Sequence, residues 1–209
     1  MKKFMALLLV AGMTLSLTAC GGSTDTAKTD QAGGKDTFTV GFDQDFPPFG
    51  YVGDDGEFTG FDIEMATECA ARMGKKIVLQ PIDWDAKDME LEAGTIDCIW
   101  NGFTMNGRED QYTWTDPYMD NSQVVVVKKD SGINTLADLA GKVVEVQKES
   151  AAETALNDEE HADLMASFAQ LLSVGEYNTA FMDLESGAVD AVAIDIGVAQ
   201  FQIEGKEDQ

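Results

Sequence analysis

Between Ile99 and Tyr118 the chain reads Ile-Trp-Asn-Gly-Phe-Thr-Met-Asn-Gly-Arg-Glu-Asp-Gln-Tyr-Thr-Trp-Thr-Asp-Pro-Tyr, and these residue types suit the holding of a small anion. Arg108 presents a planar fork that grips a carboxylate through two parallel charge-assisted bonds. Gly102 and Gly107 let backbone come close to a ligand, while Asn101 and Thr104 add an amide and a hydroxyl. A second reading pairs Arg108 with Glu109, Asp110 or Asp116 on the surface, and the loop alone does not separate the two. Ser150-Ala151-Ala152-Glu153 fits a capping box, so a helix starts there with N–H groups that either face an anion or are simply capped. Other chemistry finds little to draw on. The single histidine, His161, lies in the polar run 157–163 and reads as an exposed helix residue. That leaves a histidine metal site or a Ser/His/Asp triad without partners, and no metal or cofactor is expected. Asp43 and Asp45 could be offered as a carboxylate pair, yet no nucleophile sits beside a base.

The elements that must position these groups alternate strand and helix. Phe38–Phe42 reads as a strand, Asp43–Phe49 as a rigid proline-fixed loop, and 62–73 as a helix with Ile63, Ala66, Ala70 and Met73 on one face, stopping at Gly74. Ile77–Gln80 is the next strand, 85–93 a short helix ended by Gly94, and Ile96–Trp100 the strand that feeds the Arg108 loop. Gln123–Lys129 is a strand long enough to cross between two lobes, followed by a short helix over 136–142 and the strand Val143–Gln147. This alternation predicts βαβ units and a parallel sheet. An internal echo supports paired lobes: 91–100 (Leu-Glu-Ala-Gly-Thr-Ile-Asp-Cys-Ile-Trp) matches 184–193 (Leu-Glu-Ser-Gly-Ala-Val-Asp-Ala-Val-Ala), each a helix end, a glycine and an apolar strand. Ligands in open α/β sheets bind beyond the carboxyl ends of strands, so Asn101 and Asp195 are expected to face one cleft.

With 38 acidic against 14 basic residues the net charge is -24, which argues against nucleic acid or anionic lipid as the main partner. Residues 1–20 form a targeting segment: Lys2 and Lys3, the apolar run Phe4–Leu17, then Leu-Thr-Ala-Cys. The ending resembles a bacterial lipobox, which implies lipidation at Cys20. Residues 21–36, rich in Gly, Ser, Thr and Asp, read as a flexible tether. The chain is then extracytoplasmic and lipid-anchored to the cell membrane, where a disulfide is permitted. Cys69 and Cys98 both sit at apolar positions and read as buried free thiols.

Taken together, the motifs Gly60-Phe61-Asp62-Ile63, Asp97-Cys98-Ile99, Asn101-Gly102-Phe103-Thr104, Arg108, Thr115-Asp116-Pro117-Tyr118 and Val189-Asp190-Ala191 resemble the polar amino-acid-binding proteins of ABC importers, solute-binding family 3. The resemblance implies a two-lobed, type II periplasmic-binding-protein-like α/β fold, with lobe 1 over 37–122 and lobe 2 over 123–209. It also implies a first lobe left incomplete by an apparent truncation at the C-terminus, after the polar tail 204–209. By that resemblance Arg108 clasps a ligand α-carboxylate with Thr104 and Ser150. Asp195 accepts the α-ammonium with help from Asn101 and Gly102, Asp43 meets the ligand side chain, and Phe46 stacks on it. Trp84 and Trp100 are further candidates for the wall. Phe46 and Trp100 as core aromatics, and Asp43 as a turn cap, are the structural alternatives. The implied partners are a free polar amino acid and the transmembrane subunits of an ABC permease, for a monomeric receptor without cofactor. The competing function is catalysis on the same fold, as in cyclohexadienyl dehydratases or lytic transglycosylases.

Overall fold

The computed structural model describes residues 36–206. The leader, Cys20, the tether up to residue 35 and the last three residues of the polar tail lie outside the described residues. The described residues fall within one compact unit.

β1 (Thr37–Phe42) is the centre of a three-stranded parallel sheet ordered β5-β1-β6, with β5 over Lys76–Pro81 and β6 over Cys98–Ile99. In its register Val40 lies opposite Leu79 on one side and Cys98 on the other. β6 is shorter than the apolar run Ile96–Trp100 predicts. The ladder nonetheless extends past both its ends, because Asp97 N–H donates to Thr39 O at 2.7 Å and Trp100 N–H to Gly41 O at 3.0 Å. The proline-fixed loop carries a little more structure than expected. Asp45–Phe46 (β2) pairs with Gly50–Val52 (β3), and β3 with Phe58–Thr59 (β4), in a small antiparallel sheet.

The first helix, α1 (Phe61–Arg72), packs its buried Ile63, Ala66 and Ala70 inward and gives way to Gly74 at φ 66°. Gly60 ahead of it is required by space: a Cβ there would lie 2.3 Å from Phe49 O, at a backbone φ of 122°. The predicted short helix begins as a 3-10 turn, Trp84–Ala86, and continues as α2 (Lys87–Ala93).

From Gln123 onward every strand belongs to another sheet. β7 (Gln123–Val127), β8 (Val143–Gln147), β9 (Gln170–Val174) and β10 (Ala191–Asp195) are ordered β7-β10-β8-β9. β10 and β9 run parallel to β8, but β7 pairs antiparallel with β10. The sheet is therefore mixed, and β7 stays at its edge, forming no ladder with the first sheet. Around it lie α3 (Ala151–Leu156), α4 (Ala162–Ser167), α5 (Tyr177–Ser186) and α6 (Ile196–Ile203). Leu136–Leu139 is a 3-10 turn where a short helix was predicted.

β10 is buried along its whole length, as an apolar central strand should be, and its side chains alternate between two cores. Val192 and Ile194 join Tyr177, Phe181 and Leu184 of α5, Val198 of α6, and Phe46 and Phe49 from the small sheet. Ala191 and Ala193 join Val144, Val146, Ala152 and Leu156. The echoed helix ends are alike in backbone: Gly94 and Gly187 cap α2 and α5 in the left-handed conformation, at φ 70° and 81°. His161 departs from expectation. It ends a 3-10 turn half-buried, with Nδ1 shielded from solvent. Cys69 and Cys98 are free thiols, part-buried, and burial pushes the Cys98 pKa up to about 12.

Candidate functional site

The carboxyl ends of the parallel strands of both sheets converge. β1 ends at Phe42 and hands on to Asp43, β6 to Trp100-Asn101-Gly102, β8 ends on Gln147 just before Lys148-Glu149-Ser150, and β10 ends on Asp195. Between them lies a hollow lined by Phe46, Trp84, Asn101, Gly102, Phe103, Thr104, Arg108, Gln147, Ser150, Ala151 and Asp195. Its free volume is about 20 Å³, enough for a single water.

Arg108 is only 7% exposed, which removes the reading of a surface ion pair. Its Nη2 donates to Glu149 O at 2.9 Å and to Thr154 Oγ1 at 3.0 Å, its Nη1 to Thr104 O at 3.3 Å, and its guanidinium lies 5.2 Å from the centroid of Phe103. Burial lowers its pKa, while Tyr112, Asp195, Asp88 and Glu149 pull it back up. The guanidinium spans both halves of the site, since Thr104 belongs to the loop after the first sheet and Glu149 and Thr154 to the segment after β8.

Asp195, 5% exposed, is the last residue of β10. Its Oδ1 accepts from Gln123 Nε2 at 2.8 Å and from Asn121 Nδ2, which also donates to Thr104 Oγ1 at 3.1 Å. Burial raises its pKa, and the Gln123 and Asn121 amides and the Arg108 charge work against that rise. Ser150 caps α3 by accepting Glu153 N–H at 3.1 Å. The expected capping box is displaced by one residue, because the Glu153 carboxylate takes the N–H of Glu149 at 2.6 Å instead of that of Ser150.

Of the residues picked out from the sequence, Phe46, Trp84, Asn101, Gly102, Thr104, Arg108, Ser150 and Asp195 thus meet around one hollow, and two do not. Asp43 stands one layer behind, where Gln147 Nε2 donates to its Oδ2 at 2.6 Å and Asp45 N–H to its Oδ1 at 2.8 Å. It caps its own turn and holds Gln147, and its burial, against those hydrogen bonds, raises its pKa to about 6. Trp100 is also off the wall. Its ring lies 6.5 Å from that of Tyr118 instead of lining the hollow. Asp62 is buried, its pKa raised by desolvation to about 6, and it accepts Tyr118 Oη–H at 2.9 Å. That same Tyr118 oxygen receives the Gly102 N–H at 3.2 Å, so Asp62 braces the loop from behind. Phe46 is both wall and core, since it packs 5.7 Å from Phe49 and 6.0 Å from Tyr177.

Sequence reasoning missed Phe103, Gln147 and Ala151 on the wall, and Asn121 and Gln123 behind Asp195. Phe103 sits inside the motif already singled out and adjoins Thr104. The position of Gln147 as the final residue of a buried strand was a signal of the same kind as that of Asp195.

A guanidinium from one sheet and a carboxylate from the other, across a small hollow with aromatic walls, suit a dipolar solute. Comparison with known proteins gives the family. Residues 38–181 match the bacterial extracellular solute-binding proteins, family 3, and the chain belongs to this family. It is similar to the arginine-binding extracellular protein ArtP of Bacillus subtilis, with 36% identity over 148 residues, covering 70% of this chain and 56% of ArtP. It is also similar to the L-cystine-binding protein TcyJ of Escherichia coli K12, with 31% identity over 91% of this chain and 69% of TcyJ. Among solved structures, an ABC uptake transporter substrate-binding protein from Streptococcus pneumoniae with bound histidine superposes with a TM-score of 0.77 at 35% identity, over 82% of this chain and 70% of that one. An ancestral arginine-binding protein bound to glutamine gives 0.74 at 34%, over 84% and 76%. The fold is that of the type II periplasmic binding proteins, and the chain spans only part of the length of these relatives.

Proposed function

We propose that this chain is the extracytoplasmic substrate-binding component of an ABC importer, which captures a free polar amino acid and presents it to the permease subunits. The observation that carries the reading is that Arg108 and Asp195, contributed by different sheets, line the same hollow. Arg108, with Thr104 and the start of α3 at Ser150, takes the α-carboxylate; Asp195, with Asn101 and Gly102, takes the α-ammonium; Phe46 and Trp84 flank the side chain. Residues 37–122 and 123–209 act as the two lobes, and lipid on Cys20 holds the receptor at the membrane. Each charge-assisted contact is worth about 1.5 to 3 kcal/mol and an aromatic face over a cation about 0.5 to 2. Three or four such contacts, less the cost of ordering, approach the roughly 8 kcal/mol of a micromolar ligand.

Catalysis is the second reading, favoured by two buried acids, Asp43 and Asp62, each with its pKa raised to about 6, and by likeness to AncCDT-1, described as a precursor of cyclohexadienyl dehydratase, at a TM-score of 0.74 and 29% identity. Neither acid lines the hollow, and the reading of binding without turnover is preferred. The relatives' arginine, cystine and histidine head the candidate ligands, since the Phe46 and Trp84 faces suit a cationic or polar side chain. A thermal-shift screen of the common amino acids plus cystine tests the proposal. Stabilisation by one of them is the expected result; stabilisation by none, with turnover of a prephenate-like acid, would replace it with the enzyme.

A further inference from the structure

We infer that Lys87 and Glu149 form a latch between the two halves of the site, positioning Arg108 and governing how long a ligand stays; this rests on the amino-acid-binding reading above. Lys87 opens α2 on the side of the first sheet and is only 3% exposed, a depth lysine reaches essentially only when paired. Its Nζ lies 2.7 Å from Glu149 Oε2 and 5.4 Å from the centroid of Trp84, a wall residue. Glu149 is the non-glycine residue with positive φ among the described residues, at 57°, a left-handed conformation that costs a glutamate energy and persists only when its surroundings hold it. They hold it at each of its groups. The N–H is taken by Glu153, the carboxylate by Lys87, and the carbonyl by Arg108 at 2.9 Å. The charge of Lys87 therefore acts on the binding guanidinium through one strained residue.

Alongside runs a second bridge of opposite polarity, Lys148 to Asp85 at 2.7 Å. The segments 85–87 and 148–149 thus meet in one register only, since exchanging partners would set Lys87 against Lys148 and Asp85 against Glu149. The Asp85 bridge is exposed at both ends and adds little by itself; the buried lysine makes the other pair the effective one. With about 20 Å³ of free volume the hollow must widen to admit an amino acid, and the contacts joining its two sides are those that must yield. Escape of the ligand then requires the Lys87 pair to open as well.

The test compares wild type with Lys87→Met, Glu149→Gly and the double variant, measuring affinity and dissociation rate for arginine, histidine and cystine at about 50 and about 500 mM salt. Glu149→Gly removes the left-handed strain but leaves Lys87 buried without its partner, so its melting temperature falls or holds as these two offset, while ligand release is expected to become at least about fivefold faster. Lys87→Met should likewise speed release, the double variant no worse than either single, and all three should lose part of the salt dependence, the exposed Lys148–Asp85 bridge keeping the rest. A fall in melting temperature with unchanged release and salt slope, or additive losses, would overturn the latch. If none of the three amino acids binds wild type, the functional reading fails, and X-ray scattering of the free protein decides the latch. Wild type should then expand on going to high salt while Lys87→Met is expanded at both; equal radii overturn it.

Discussion

Replacing Asp195 by asparagine separates the binding role of this carboxylate from its structural cost. The side chain is 5% exposed at the end of a fully buried strand, and its ionised form is disfavoured there, so that burial raises its pKa. An asparagine of the same shape keeps an oxygen to accept from Asn121 and Gln123 and no longer carries a charge out of water. Losing a charge-assisted bond to a ligand ammonium costs about 1.5 to 3 kcal/mol, a weakening of about 10- to 150-fold. Stability should move the other way or not at all, because the desolvation of a buried carboxylate, several kcal/mol before its hydrogen bonds offset it, disappears. At this chain length a gain of 1 kcal/mol raises the melting temperature by about 2 to 4 °C. Titration calorimetry with the amino acid found by screening, paired with thermal melts at neutral pH, reads both. Affinity within twofold of wild type would show that Asp195 does not hold the ammonium. A large loss of stability together with lost binding would show that the site had merely collapsed.

Arg108→Ala should weaken binding of any free amino acid at least about tenfold while the fold persists, and unchanged heats of binding would remove Arg108 from the site. Asp43 and Asp62 both titrate in the folded protein near 6, above their ordinary value of 3.8. Between those values the folded state binds more protons than the unfolded one, so stability should rise as pH falls from about 7 to about 4, by a few kcal/mol in all. Denaturant melts across that range check the sign, and Asp43→Asn should flatten part of the slope; a slope of opposite sign refutes the argument. Gly60→Ala must place a methyl 2.3 Å from Phe49 O at φ 122°, and should lower the melting temperature by at least several degrees or abolish folding; a wild-type melt would mean the α1 start is free to shift.

The positions where sequence and structure part company are instructive. Arg108 was ambiguous between surface and site because nothing local distinguishes the two. Its burial depends on Glu149 and Thr154, 41 and 46 residues away. Trp100, offered for the wall by the resemblance, lies against Tyr118 instead. Asp43 follows its turn-cap reading and not its ligand-side-chain reading, because its carboxylate is taken by Asp45 N–H and by Gln147, 104 residues away.

What the sequence by itself determined is whatever depends on neighbours along the chain. The alternation of strands and helices, the glycine ends at Gly94 and Gly187, the buried run of β10 and the placing of Asn101, Ser150 and Asp195 at element ends all follow from local periodicity and backbone preference. The tertiary structure alone decided which side chains face the hollow, that Gln147 and Phe103 belong to it, that Asn121 ties Thr104 to Asp195, and that Lys87 is buried against Glu149. The physical reason is one of range. Periodicity fixes which way a side chain points within its own element, whereas these contacts arise only when two sheets bring their carboxyl ends together, and no repeat along the chain carries the distance between them.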